Sequence, residues 1–476
     1  MSPLGLLVFI AVGIAVAIGG PDRLRRCPTL AGFLLGLLAF HTAFVLLYEA
    51  FYFPWVHMRE MYQFVEEMAP LQRYLDTGQP IRLTNPRQYG PVFFLFAAPL
   101  TLLRGSRALA NVLYVVNAGL IVLAFVLCAK ACARGPLRWW EWTVLAIAWL
   151  NFWPLHYLLG SRNVEIWELA LLAGGLYAAR RGQGRWTGAA VGLATLIKML
   201  PALFVYYFLW RERRVFLWSV GTMTGVLGLA TLLFGWEMGL GYGPFLASRA
   251  LAARSWDFAH YENVALKGLL FKAFAGFRLE PGVYTFRVVE PFWLPAGLAF
   301  AAQGLGLALL AWFALCRATQ WAGSAGTAAQ GSPADDPAVE GRGIEWTLVL
   351  AAMLLLSPLT AWEYAVLLLP GITAATLLLL RRPDLITGPA RLLLAGGYVL
   401  VSDVLIIRGA PWEWLNLRLG NQLLRHPVES YKAYCLPTLG LLLFLAFAVV
   451  VARRLAARPA GAEVRLSGPP WSAAPR

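Results

Sequence analysis

The chain has 476 residues, of which 59% are apolar and 14% are charged, and its formal net charge is +15. This composition excludes an ordinary soluble protein, because stretches such as Thr29 to Tyr48 and Phe292 to Leu315 are long enough, at about 20 residues, to cross a bilayer as helix. The positive charge does not indicate a nucleic-acid partner, since Arg and Lys stand in short clusters between apolar stretches.

We therefore predict an all-α polytopic membrane protein, a single domain over residues 1–476 with about 11 to 13 transmembrane helices. The opening stretch Pro3 to Gly20 is predicted to be a retained first helix, because a secretory signal would have basic residues before it. The five cysteines are scattered without a CxxC pair, so neither a disulfide framework nor a metal site is predicted.

Short arginine-rich connections fix the predicted topology, since such loops face the cytoplasm. Placing them all inside predicts that the N-terminus is outside and the C-terminus inside, in the cytoplasmic (plasma) membrane. Two long loops, 54–107 and 239–291, then lie on the outer side, together with the stretch from Arg408 to Ala433. A flexible linker at 320–343 and a tail at 455–476 lie inside. The connections concerned contain Arg23, Arg25, Arg26, Lys130, Arg134, Arg138, Arg180, Arg181, Arg185, Arg211, Arg213, Arg214, Arg381, Arg382 and Arg391.

Two apolar segments must each cross the membrane twice if all of these arginine-rich connections are to lie on the cytoplasmic side. The first, Trp186 to Trp210, is interrupted at Lys198 and Pro201, and the second, Trp346 to Leu380, at Ser357 and Pro358. Irregular backbone at membrane depth is tolerated where it lines a protein cavity. We therefore expect both interruptions to point toward the outer loops.

The first long loop is predicted to contain two helices that do not span the membrane. Residues 60–75 have apolar side chains at helical spacing, which is typical of an amphipathic helix on the membrane surface. Pro91 to Leu103 is too short to cross and favours a re-entrant or interfacial helix.

Lys198 is the first candidate site residue, because a charge in the middle of an apolar segment costs about 2.5 to 3.5 kcal/mol on insertion scales. One interpretation is a lysine whose ammonium reaches the outer head groups. The other is a cation that holds a lipid phosphate, and the neighbouring helix break favours it.

The loops supply further candidates. Glu60, at the start of the surface helix, is a candidate general base for a sugar hydroxyl, whereas Glu66, Glu67 and Asp76 fit a solvated face. The second loop contains Arg249, Arg254, Asp257, His260, Glu262, Asn263, Lys267 and Lys272, a basic set suited to a phosphate-linked ligand. No Walker, GxSxG or HExxH motif is evident, so a transfer reaction would need a donor that is already activated in the membrane.

Four strings resemble the GT-C superfamily, in particular glycosyltransferase family 87, over about Thr29 to Pro370. They are QYGPVFFLFAAPL, in which Gly90 replaces the family's first proline; GSRNVEIWELALLAGGLYAARRGQGRWTGAAVGLATLIKMLPALF, with its Lys-x-x-Pro; NVALKGLLFK; and SPLTAWEYAVLLLP. The family usually has an Asp shortly before a tyrosine of the first loop, and Glu60 ahead of Tyr62 is the best substitute here.

The resemblance implies an inverting, metal-independent transfer at an extracytoplasmic site, with a polyprenyl-phosphate-linked donor. We thus predict a mannosyltransferase-like enzyme of the cell envelope, without a cofactor, that transfers mannose or another hexose or pentose to a lipid or glycan acceptor. Glu60 is the predicted base. The residues predicted to bind substrate are Tyr62, Arg87, Tyr89, Arg162, Asn163, Lys198, His260, Asn263, Lys267, Trp362, Glu363 and Tyr364. The alternatives are a transporter or flippase of polyprenyl-linked lipids, which would show an internal repeat, and a non-catalytic subunit of envelope-glycan assembly.

Overall fold

The computed structural model describes residues 62–82, 89–103, 106–245, 262–280, 283–288, 293–324, 338–402 and 435–457. The predicted first helix, the span at Thr29 to Tyr48 and the stretch from Arg408 to Ala433 lie outside these residues, as does most of the predicted tail. The prediction of an all-helical membrane protein is confirmed, with one short hairpin of strands in the second loop.

Fifteen α-helices are described. They are α1 (Tyr62–Thr77), α2 (Pro91–Ala97), α3 (Ser106–Cys132), α4 (Trp139–Leu150), α5 (Trp153–Ser161), α6 (Glu165–Arg180), α7 (Gly184–Ile197), α8 (Ala202–Arg211), α9 (Arg213–Phe234), α10 (Leu266–Ala273), α11 (Trp293–Ser324), α12 (Ala338–Leu356), α13 (Leu369–Arg381), α14 (Gly388–Val401) and α15 (Leu436–Ala456). Short 3-10 helices lie at Ala98–Leu102, Trp362–Leu368 and Pro383–Leu385. The strands β1 (Ala275–Glu280) and β2 (Val283–Val288) pair antiparallel, with Ala275 opposite Val288.

Several of these helices match the length and composition of membrane spans. Within the described residues five are long and apolar enough, and a sixth is counted if the bent pair α4 and α5 forms one span. The pair bends by 65°, a feature that the sequence analysis did not predict. Pro154 lies in the first turn of α5, where its missing N–H costs nothing, whereas inside a continuous helix it would break the ladder.

The predicted interruptions are present. Helix α7 ends at Ile197 and α8 begins at Ala202, and α12 ends at Leu356 before the 3-10 helix that starts at Trp362. A helix is also present in the first loop, as α1, and its position on the membrane surface stays a prediction. Helix α11 continues to Ser324 and α12 begins at Ala338, so both extend into the segment 320–343.

Helix α6 is central to the bundle and packs against α3 and α7, while α7 also packs against α9. Gly188 and Gly192, four residues apart on α7, allow the close approach to α9. A Cβ added at Gly188 would lie 2.5 Å from the Val215 carbonyl oxygen, and one at Gly192 would lie 2.7 Å from that of Ser219. Small residues at this spacing are a common way to bring membrane helices together.

Arginines join the helix ends at one end of the bundle, which we call the basic end. Arg381 forms an ion pair with Glu141 at 2.6 Å, and Arg342 donates to the carbonyl of Ala179 at 2.6 Å. Arg180 donates to the backbone carbonyls of Lys130 and Ala133. The ends of α3, α6 and α13 therefore meet the starts of α4 and α12, which groups several of the predicted cytoplasmic connections together.

Candidate active site

The break between α7 and α8 places Lys198 in contact with two other elements at the end of the bundle away from the basic end. Its ammonium donates to the carboxylate of Glu165, at the start of α6, and to the hydroxyl of Tyr364 at 2.6 Å. The Lys198 side chain is 16% exposed and that of Glu165 only 1%. Lys198 is thus held inside the protein by a carboxylate and does not extend freely toward head groups.

Two tyrosine rings enclose the same ammonium. The Nζ atom of Lys198 lies 4.6 Å from the ring centroid of Tyr89 and 4.4 Å from that of Tyr364. Each contact places the cation over the negative face of a ring, which contributes up to about 2 kcal/mol where water is excluded. One cluster therefore contains Tyr89, Glu165, Lys198 and Tyr364, and we call it the lysine cluster.

Asn163 links this cluster to the helices behind it. Its side-chain oxygen accepts from the Tyr89 hydroxyl at 3.4 Å, and its backbone oxygen accepts from the Asn117 amide at 3.1 Å. Asn117 in turn accepts from the indole N–H of Trp167 at 2.8 Å. All these groups are buried, so the network orients Tyr89 by bonds that water does not compete for.

Gly90 brings the first loop against the end of α7. Its N–H donates to the Ile197 carbonyl at 2.7 Å. A proline, which the resembled family has at this position, has no backbone N–H and could not form this bond. A Cβ added at Gly90 would lie 2.1 Å from the Leu196 carbonyl oxygen. The glycine therefore permits a backbone approach that fixes Tyr89 beside Lys198.

Gly90→Ala is expected to lower the stability of the protein by about 1 to 3 kcal/mol, because the backbone of α7 must move to admit the methyl group. Thermal unfolding of the purified protein in detergent measures the change. Gly119→Ala is the matched control, since a Cβ added there meets nothing within 4 Å, and alanine in a helix is neutral or slightly favourable. Equal melting temperatures for the two variants would show that the close approach at Gly90 is not needed.

The second loop meets the second helix break through its backbone. Val264 donates to the Thr360 carbonyl at 2.8 Å, Asn263 pairs with Ala361 in an isolated bridge, and the Asn263 side-chain oxygen accepts from the Thr360 N–H at 3.2 Å. Trp362, which follows directly, is buried with its ring 5.2 Å from that of Tyr157. The loop around Asn263 and the segment before Tyr364 are thus one unit.

Lys267 lies on α10 of this second loop and is 3% exposed. Its Nζ atom is 5.0 Å from the ring centroid of Phe300. Burial lowers the pKa of Lys267 to about 8, because removal from water disfavours the charged ammonium. Burial therefore makes this ammonium easier to deprotonate than that of a lysine exposed to water.

Arg162 and Asn163 occupy the turn between α5 and α6. Arg162 ends α5 with left-handed backbone angles, φ 57° and ψ 32°, and its residue is 1% exposed. The guanidinium carbon lies 5.7 Å from the ring centroid of Tyr114. Helix α6 begins three residues after Arg162, at Glu165.

The structure thus brings together Tyr89, Asn163, Lys198 and Tyr364, with Arg162 in the adjoining turn, and groups Asn263 with the segment that contains Trp362 and Glu363. Glu60, Arg87 and His260 lie outside the described residues. Tyr62 is the first residue of α1, but its side chain is not described. The roles assigned to all these residues stay predictions.

Sequence reasoning missed the two carboxylates of α6. Glu165 forms the ion pair with Lys198, and Glu168, one turn further, is completely buried with Glu165 and Lys198 as its charged neighbours. Carboxylates inside an apolar helix are rare and usually face a partner, so the string EIWEL was the available signal. Two buried carboxylates and one ammonium make this region more acidic than the sequence analysis assumed.

Among the described residues no group of three or more His, Cys, Asp or Glu side chains is placed to hold a metal ion. A family model described as glycosyltransferase family 87 matches residues 88–333, just over half of the chain. No curated protein and no solved structure matches the chain. The matched region runs from just before Tyr89 to beyond α11 and includes Tyr89, Glu165 and Lys198 of the lysine cluster, but not Tyr364.

Proposed function

The chain belongs to glycosyltransferase family 87 and is a membrane glycosyltransferase, and we propose that it transfers a sugar from a polyprenyl-phosphate-linked donor to a lipid or glycan acceptor. The sugar is mannose or another hexose or pentose, and the reaction inverts the anomeric centre without a metal ion. The lysine cluster at the α7 break carries this proposal, because a buried cation and ordered tyrosines suit a phosphate-linked sugar. Family membership favours transfer over the transport of polyprenyl-linked lipids.

The proposed chemistry is a single displacement. The Glu60 carboxylate takes the proton of the acceptor hydroxyl as its oxygen bonds to the anomeric carbon, and the bond between that carbon and the phosphate oxygen breaks. The leaving phosphate keeps the electron pair, so negative charge grows on its oxygen in the transition state. Lys198, Arg162 and Lys267 supply positive charge near that oxygen, which lowers the barrier if they are fixed in advance.

The remaining predicted residues orient the two substrates. Tyr89 and Tyr364 present ring faces and hydroxyl groups beside Lys198, and Asn163 holds Tyr89 in place. Trp362 and Glu363 adjoin Tyr364, while Tyr62, Arg87, His260 and Asn263 complete the site from the two long loops. These loops face the outer side of the cytoplasmic membrane in this proposal, because the basic end faces the cytoplasm.

The test is sugar transfer by the purified protein in sealed lipid vesicles. An impermeant thiol reagent first identifies the side of the vesicle on which Gln79→Cys reacts and Gln183→Cys does not. Polyprenyl-phosphate mannose presented on that side is expected to yield a glycosylated acceptor. A nucleotide sugar is expected to yield none, since no nucleotide-binding motif is evident. Transfer from the nucleotide sugar alone would overturn the donor class, and transfer only from the side of Gln183 would overturn the orientation.

A further inference from the structure

Helix α6 carries more buried negative charge than its one cation neutralises. Glu165 and Glu168 lie one turn apart on this helix, and they are 1% and 0% exposed. In the described part of the chain, the charged groups that face Glu168 are the carboxylate of Glu165 and the ammonium of Lys198. With both carboxylates ionised, two negative charges and one positive charge would lie where water is excluded.

Three carboxylate oxygens in this turn also have no hydrogen-bond partner among the described residues. They are both oxygens of Glu168 and the Oε2 atom of Glu165, whereas Glu165 Oε1 accepts from Lys198. The backbone N–H of Lys198 lies near Glu168 but donates to the Ala194 carbonyl, at 3.5 Å. A buried acceptor without a donor is unfavourable, because it loses its hydrogen bonds to water and gains none.

A single proton would remove both defects. Two carboxylates that share a buried site do not both ionise readily, because their like charges repel. A proton on Glu168 brings the summed charge of Glu165, Glu168 and Lys198 from −1 to zero. It also makes Glu168 a donor, and side chains one turn apart on a helix are neighbours, so its O–H can reach Glu165 Oε2. Glu168 is the residue that holds the proton, since Glu165 already pairs with the ammonium.

The same proton would make Lys198 available to the donor. In the proposed function the ammonium faces the donor phosphate, but in the structure it is paired with Glu165. Turning the ammonium toward a phosphate leaves a buried carboxylate without its cation, which is unfavourable. A hydrogen bond from a neutral Glu168 to that carboxylate offsets part of this cost, because hydrogen bonds to ionised groups are the strong ones.

We propose that Glu165 and Glu168 share one proton, and that Glu168 is a positioning residue that stabilises Glu165 when Lys198 turns toward the donor phosphate. The second half of this inference rests on the proposed function, since it takes the phosphate-linked donor from there. The first half depends only on the burial and charge of the three side chains. The two halves are therefore tested by different measurements.

Infrared spectroscopy of the purified full-length protein in detergent, at neutral pH, detects the proton. The C=O band of a carboxylic acid is separate from the bands of a carboxylate. The wild type is expected to show this band, and Glu168→Gln is expected to lose it. Glu212→Gln, which changes an exposed carboxylate just before α9, is the control and is expected to keep it. Identical spectra of the wild type and Glu168→Gln in this region would overturn the shared proton.

Calorimetry with farnesyl phosphate, a phosphate on an isoprenoid chain, tests the role of Glu168 in binding. Glu168→Leu has a side chain of similar size without an O–H. It is expected to bind about tenfold more weakly than the wild type, as the loss of one hydrogen bond to an ionised group predicts. Glu168→Gln keeps a donor in its amide and is expected to bind within about threefold of the wild type.

The melting temperature without ligand separates this role from folding. Glu168→Leu buries no unpaired polar group, so it is expected to melt close to the wild type. If it does not fold, Glu168→Met, which is also apolar and of similar length, takes its place. A folded apolar variant that binds farnesyl phosphate as tightly as the wild type would overturn the positioning role.

A failure of the proposed function gives a different result. A wild type that does not bind farnesyl phosphate would overturn the phosphate-linked donor, and with it the positioning role of Glu168. The infrared band does not depend on any ligand. Its presence in the wild type and loss in Glu168→Gln would then still support the shared proton.

Discussion

Lys198→Met is expected to reduce sugar transfer by about a hundredfold to a thousandfold and to destabilise the protein by about 3 kcal/mol. Removal of the ammonium leaves the Glu165 carboxylate buried without its cation, which accounts for the loss of stability. The same change frees the tyrosine rings that Lys198 holds at 4.6 and 4.4 Å. The initial rate of transfer and the thermal unfolding of the purified protein measure the two effects.

The double variant Lys198→Met/Glu165→Gln separates the two effects. A buried ion pair replaced by neutral side chains of similar size is often as stable as the original, so stability is expected to return to about the wild-type value. Transfer is expected to stay low, because the cation is still absent. Lys130→Met, an exposed lysine at the basic end, controls for the loss of a positive charge elsewhere.

Recovery of transfer together with stability in the double variant would show that Lys198 serves folding alone. A single variant as stable as the wild type would show instead that Glu165 is not held by Lys198 in the folded protein. The first result concerns the role of Lys198 in the reaction, and the second concerns the ion pair between Lys198 and Glu165.

The helix breaks were predictable from the sequence because their causes are local. Pro201 and Pro358 cannot continue a helix, and a lysine in an apolar segment carries a cost that has to be met by a partner. Helix α1 was equally predictable, since its apolar residues recur at helical spacing. Such signals lie within a few residues of the feature that they predict.

The partner of Lys198 was not predictable, because Glu165 is 33 residues away in the sequence and Tyr364 is 166 residues away. Their contact depends on how α6, α7 and the 3-10 helix after α12 pack, and no periodicity within one segment encodes that arrangement. The hairpin β1–β2 was missed for a related reason, since its residues were read as part of a long loop. Three of the four strings that resemble family 87 lie within the matched residues 88–333, but the resemblance did not predict the pairing of Glu165 with Lys198.

Glu60→Gln is expected to reduce sugar transfer by about a hundredfold to ten-thousandfold, the range that a general base contributes. Glutamine keeps the shape of the side chain but does not accept the proton of the acceptor hydroxyl. Binding of farnesyl phosphate is expected to be unchanged, because the residues proposed to supply positive charge to the phosphate, Lys198, Arg162 and Lys267, are all retained. Transfer rates at saturating donor and acceptor, with calorimetry of the same preparation, measure both quantities.

Glu66→Gln is the matched control, because Glu66 lies in the same loop on α1 and is predicted to be a solvated residue of that helix. Its transfer rate is expected to stay within about twofold of the wild type. Glu60→Asp keeps a carboxylate on a shorter side chain and is expected to retain part of the activity. If Glu60 only supported the fold, Gln, which has the same shape as Glu, would be tolerated better than Asp. A Glu60→Gln protein that transfers sugar at the normal rate would remove Glu60 as the base, and the buried carboxylates of α6 would then be the next residues to test.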